Sequence, residues 1–114
     1  MATIAVKYER GLVLTTGQEN PGAFELVRKL KSKGHKVILL TRLEGQDLND
    51  ALEYLEDHDA SPDHVNALPG SEGHVFADFL IDPDAISTRL RLVSKTLVID
   101  LVAVEGFLAV NNII

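Results

Sequence analysis

The chain of 114 residues has no cysteine, which removes disulfide frameworks, thiolate zinc sites and cysteine nucleophiles together. No apolar run approaches the about 18 residues that a membrane-spanning helix needs. The N-terminus shows no basic stretch followed by an apolar core, so no secretory signal is expected. Positive charge is also scarce: 11 Lys and Arg stand against 17 Asp and Glu, a formal net charge of -6. Nonspecific nucleic-acid binding draws its affinity from a basic surface, so nucleic acid is not an expected partner. A membrane is not expected either, and the location that follows is cytoplasmic.

What is present is globular composition, 46% hydrophobic and 25% charged, in a chain of one domain's length with enough residues for a core. Basic residues do cluster in Arg28-Lys29-Leu30-Lys31-Ser32-Lys33. They fall in the last turns of a predicted helix, where cations complement the helix dipole.

Ala2 to Tyr8 reads as a short apolar strand buried on both faces. Gly11 to Thr16 reads as a second extended piece or part of a loop. Asn20-Pro21 signals a helix start, with Asn as N-cap and Pro at the first helical position. Phe24, Val27 and Leu30 then recur at helical spacing, and Gly34 supplies the stop. Val37 to Thr41 follows as a strand, so the order fits a right-handed βαβ unit with parallel strands.

A second helix is expected from Gly45 or Gln46 to His58, burying Leu48, Ala51, Leu52 and Leu55. Ser61-Pro62 interrupts the chain, and Val65 to Leu68 is a candidate short strand. Pro69 to Gly73 is loop by composition. Ala77 to Ile81 reads as a further buried strand, and Asp84 to Val93 as a helix with Ile86, Leu90 and Val93 on one face. The tail carries two apolar runs, Thr96 to Val104 and Phe107 to Val110, flanking Glu105-Gly106. A two-residue turn with Gly second is a hairpin signal. So much β-branched surface invites edge pairing unless it is covered. The tail is therefore expected to extend the sheet or to form a homodimer contact.

Three strand ends converge if these strands are parallel and adjacent: Lys7-Tyr8-Glu9, Thr41-Arg42 and Asp82-Pro83-Asp84. Open parallel sheets bind ligands outside the carboxyl ends of their strands, near the switch in strand order. The pattern resembles the haloacid dehalogenase (HAD) superfamily, in particular its small capless phosphatase-like members, with Lys36 to Arg42 similar to its second motif and Ala77 to Asp84 to its fourth. In that family the first strand ends in Asp-x-Asp-Gly-Thr, the second motif is a Thr or Ser after a strand, a Lys or Arg forms the third, and an acidic pair after another strand forms the fourth. The resemblance runs from about Ile4 to Ile86. It implies a three-layer, Rossmann-like α/β domain with a mostly parallel sheet in residues 1–93, and a β-rich tail in 94–114.

The departures bear on function. The resemblance places Lys7 where the family has its nucleophilic Asp, and Glu9 where it has its acid–base Asp. Arg10 and Gly11 replace the Gly-Thr pair. An ammonium cannot form the aspartyl-phosphate intermediate that a carboxylate nucleophile provides. No Lys or Arg lies between His58 and Phe79 to shield the charge that develops in phosphoryl transfer. The expected function is therefore non-catalytic, a pseudo-phosphatase that serves as a binding or scaffolding module. Its ligand pocket is formed by Lys7, Glu9, Thr41, Arg42, Asp82 and Asp84, for a small phosphorylated ligand or a protein partner. No cofactor or metal is expected, Lys7 serving as internal counter-ion where a metal would sit. The alternative is a small Mg²⁺-dependent hydrolase with Glu9, Thr41 and Asp82 as its catalytic residues and Asp82 and Asp84 as its metal ligands.

Outside this constellation the expectations are structural. Thr41 reads equally as a strand-end residue, and Asp82 and Asp84 as turn and cap formers. His35, His58, His64 and His74 show no metal-ligand spacing and read as surface or loop residues. Ser71 lacks the strand–turn–helix setting of a nucleophile elbow. The loop from Gly17 to Gly22 lacks the Lys and Ser/Thr of a phosphate-binding P-loop.

Overall fold

A computed structural model describes residues 2–14, 17–66, 77–83, 90–93 and 96–113. Strand β1 (Thr3–Lys7) leads to helix α1 (Ala23–Ser32), strand β2 (Lys36–Leu40), helix α2 (Gly45–Asp57) and the short strands β3 (His64–Val65) and β4 (Phe79–Ile81). Strands β5 (Leu90–Val93) and β6 (Thr96–Ile99) and helix α3 (Leu101–Val110) follow. The first four strands form one sheet in the order β3-β2-β1-β4, with every pairing parallel. This is the expected Rossmann-like α/β domain. Strand β1 lies at its centre, and the strand order reverses between β1 and β4.

Alternation along the strands sends Ile4, Val6, Val37, Leu39 and Ile81 to one face of the sheet. These residues share a single core cluster with Phe24, Val27 and Leu30 of α1, Leu55 of α2, and Leu101, Val104 and Leu108 of α3. Ala5 and Ile38, on the opposite face, are equally buried. The sheet is thus closed on both sides at β1 and β2, whereas Leu80 of the edge strand β4, on the face of Ala5, is 53% exposed, so that strand is not buried throughout as expected. No helix among the described residues is long and apolar enough to cross a membrane.

The chain ends its helices by one device. Gly34, Asp59 and Asn112 all have positive φ just beyond α1, α2 and α3. The amides of the next residues, His35, Ala60 and Ile113, return to the carbonyls of Leu30, Leu55 and Leu108. This six-to-one bond is the Schellman arrangement, and it satisfies carbonyls that the helix leaves open. Only the first used glycine, which is why only the first was expected.

Other boundaries differ for identifiable reasons. Asn20 is not the N-cap of α1. Its side chain is fully buried and donates to the carbonyls of Gly11 (2.8 Å) and Ile99 (3.0 Å). The helix starts after Gly22, whose φ is 88°, and Pro21 stays in the preceding turn. Glu19 takes over the capping role, accepting from the Phe24 amide at 2.9 Å. The expected strand from Val65 to Leu68 is instead His64–Val65, with 67 and 68 outside the described residues.

The expected helix from Asp84 to Val93 is replaced over its last four residues by β5. A ready antiparallel partner in Thr96–Ile99 outweighs the helical spacing there. Residues 84–89 lie outside the described set, as do the Pro69–Gly73 loop, Ser71 and His74.

The largest correction concerns the tail. Glu105-Gly106 is not a hairpin turn but the middle of α3. The hairpin lies earlier, between β5 and β6, and forms its own two-stranded sheet rather than widening the main one. Asp100 decides this: its carboxylate accepts from the amides of Val102 (3.1 Å) and Ala103 (3.3 Å), as an N-cap. Leu101, Val104 and Leu108 then recur at helical spacing and bury one stripe. Lys29 of α1 pairs with Glu105 on the helix flank.

His35 proves more than a surface residue. Its Nδ1 accepts from the Ala2 amide at 2.9 Å, so its Nε2 carries the proton and donates to the Ile113 carbonyl at 2.8 Å. One ring therefore ties the start of β1 to the segment after α3. His58 stacks on Phe24 with ring centres 4.8 Å apart, and His64 lies in β3.

Candidate functional site

The site grows from the turn that leaves β1. The ladder with β2 continues one residue past the strand, the Tyr8 amide donating to Leu40 at 2.8 Å. The chain then coils tightly: Leu12 donates to the carbonyls of Lys7 and Tyr8, and Val13 to that of Tyr8, each at 3.1 Å. Arg10 takes a positive φ of 60° within this coil. Gly11 packs so closely that a Cβ there would lie 2.1 Å from the Lys7 carbonyl oxygen. The coil is pinned from outside by the tail, through the Ile99 amide to the Arg10 carbonyl at 2.9 Å and through Asn20.

This geometry brings Lys7, Glu9, Arg10, Arg42 and Pro83 around one cleft of about 200 Å³ at the carboxyl ends of β1, β2 and β4. Of the sequence-derived pocket residues, Lys7, Glu9 and Arg42 line it. Thr41 is buried beneath it, and Asp82 directly precedes the lining Pro83. Asp84 lies outside the described residues. Arg10 and Pro83 were not among the candidate pocket residues. Arg10 reaches the cleft through its left-handed backbone, a conformation with no side-chain signature outside Gly, Asn and Asp. Asn66 was missed as well: its Oδ1 accepts from the Thr41 amide at 3.0 Å and fixes the end of β2.

Glu9 has a definite employment. Its Oε2 accepts from the Thr41 hydroxyl at 3.0 Å and faces the Arg42 amide at 3.4 Å. The Thr41 oxygen in turn accepts from the Leu43 amide at 3.1 Å. The carboxylate thereby ties the loop after β1 to the loop after β2. Its other oxygen, Oε1, is buried with no hydrogen-bond partner. Beside it, burial above all, with Tyr54 and Glu9 adding to it, pushes the Tyr8 phenol above its ordinary value of 10.0. The Lys7 side chain makes no ion pair or hydrogen bond with any described residue. Its ammonium is therefore presented to the cleft.

Such a lining does not suit a divalent cation. Magnesium takes six oxygen ligands in near-octahedral geometry and is usually held by one or two carboxylates. Here Lys7, Arg10 and Arg42 line the cleft with Glu9, the only carboxylate lining it among the described residues, and one oxygen of that carboxylate is committed to Thr41 and Arg42. Among the described residues no three His, Asp or Glu side chains are grouped for a metal ion. The arrangement instead matches an anion, since cationic donors give strong, charge-assisted hydrogen bonds to phosphate or carboxylate.

No family model matches the sequence, and no curated protein matches it. A solved structure does: a conserved protein from Bacteroides thetaiotaomicron, with a TM-score of 0.68 and 28% sequence identity over 75% of this chain and 78% of that one. The likeness supports the parallel, Rossmann-like α/β architecture built up above.

Proposed function

We propose that the chain is a HAD-like domain without catalytic activity, a pseudo-phosphatase that binds a small phosphorylated ligand in the cleft beneath Lys7. One observation carries this reading: an unpaired lysine lines the cleft at the end of the central strand, where the resembling family needs a carboxylate nucleophile. Three cationic side chains around one carboxylate favour a phosphomonoester as ligand and disfavour an aspartyl-phosphate route. Glu9 and Thr41 serve as the structural floor of the cleft rather than as proton carriers.

The rival reading, a small Mg²⁺-dependent hydrolase using Glu9, Thr41 and Asp82, draws support from the unsatisfied Oε1 of Glu9, because a buried orphan acceptor is often kept for function. Hydrolysis of a generic aryl phosphate separates the two. The expected result is no turnover above the uncatalysed rate, with or without Mg²⁺. Turnover that Asp82→Asn abolishes would establish the hydrolase instead.

A further inference from the structure

We propose that α3 is the contact of a two-fold homodimer, in which two copies of the helix cross antiparallel at Gly106. The arc of α3 turned away from the core consists of Val102, Ala103, Gly106, Phe107, Ala109 and Val110, with no charged residue. Val102, Phe107 and Val110 are 73%, 55% and 82% exposed. A helix apolar on every side belongs in an interior, yet this one is covered on one side only.

The area fits a second copy. These three residues leave roughly 350 Å² to water, within the size of the largest apolar patch on a typical monomer, which is often functional. A standard interface takes about 800 Å² from each partner, a little over half of it apolar. The α3 face thus supplies the apolar centre of such an interface, and surrounding polar residues supply the rim. The net charge of -6 opposes self-association, but this arc adds no charge of its own, and the one acidic residue of α3, Glu105, is paired with Lys29 on its flank.

Gly106 adds an independent observation. Glycine in a helix interior is costly, and a Cβ built at Gly106 meets nothing within 4 Å. Among the described residues nothing accounts for glycine there. Close approach of a second backbone does, because small residues allow two helices to touch. With the two-fold axis at Gly106, Val102 and Val110, four residues to either side, face each other across the interface.

Sedimentation velocity over a range of protein concentrations tests this, with helix content followed by circular dichroism. The natural chain is expected to show a reversible monomer–dimer equilibrium. Gly106→Leu and Val110→Glu should each weaken it at least about a hundredfold, as loss of a central contact does. A Cβ at Gly106 meets nothing within 4 Å and Val110 is 82% exposed, so the fold should persist. The double variant Val102→Lys with Val110→Glu should regain the dimer, since each lysine then faces a glutamate. A natural chain that stays monomeric at millimolar concentration overturns the proposal. So does a dimer indifferent to Val110→Glu, or a double variant no more associated than the single one.

Discussion

Gly11→Ala is expected to destabilise the protein by about 3 kcal/mol or more, the upper range for an overpacked site that cannot relax cheaply. The added methyl would sit 2.1 Å from the Lys7 carbonyl oxygen and 3.1 Å from the Ile99 side chain. The nearer neighbour is backbone at the end of the central strand and already accepts the Leu12 amide. Moving it disturbs the coil that orients Glu9 and Arg10 together with the β1 ladder. A loss of this size corresponds to a fall in melting temperature of roughly 10 °C or more for a domain of this length. A variant that melts within a degree or two of the natural protein would show that the coil is not as close-packed as described.

Asn20→Asp should be nearly as damaging, although it changes one terminal amine for an oxygen. Asn20 is fully buried, and its amide donates to two backbone carbonyls, those of Gly11 and Ile99. Aspartate has no such donor when ionised, and it sets a negative charge against both acceptors. Each carbonyl left unpaired in the interior costs about 1–3 kcal/mol, so the loss is expected at about 2–5 kcal/mol. The damage should also be directional. Asn20 and the Ile99 amide both join the tail to the coil after β1. Hydrogen exchange should therefore speed up first at Ile99 and in α3, before β1 and β2. Uniform loss of protection across the sheet would contradict that role.

These two positions show where sequence and structure part. The central strands, α1 and α2 were legible because apolar spacing marks them locally, with a terminal glycine added at α1. Lys7, Glu9 and Arg42 could be brought together in advance because parallel order forces strand ends to one edge. What was illegible depended on long-range partners. Asn20 looked like a helix cap since Asn-Pro is a common helix start, but two distant carbonyls claimed its side chain. The tail looked like a hairpin since Glu-Gly between β-branched runs resembles a turn. The signal for a helix was Asp100, one residue before Leu101, with Val104 and Leu108 at helical spacing behind it. Asp59 and Asn112 end helices in the left-handed conformation without glycine, and spacing alone does not mark such residues.

The coil after β1 also fixes the cleft's carboxylate. Among the described lining residues Glu9 is the one carboxylate, held by a hydroxyl and facing a backbone amide, beside Lys7, Arg10 and Arg42. The tail then locks the coil through the Ile99 amide and through Asn20, so Ile99 contributes to the form of the site from outside its described lining.

Isothermal titration with Mg²⁺ decides whether Lys7 excludes a metal ion from the cleft. The natural protein should give no saturable binding at sub-millimolar affinity. Lys7→Asp, which restores a carboxylate beside Glu9 and Asp82, should acquire it. Sub-millimolar Mg²⁺ binding by the natural protein would contradict the account.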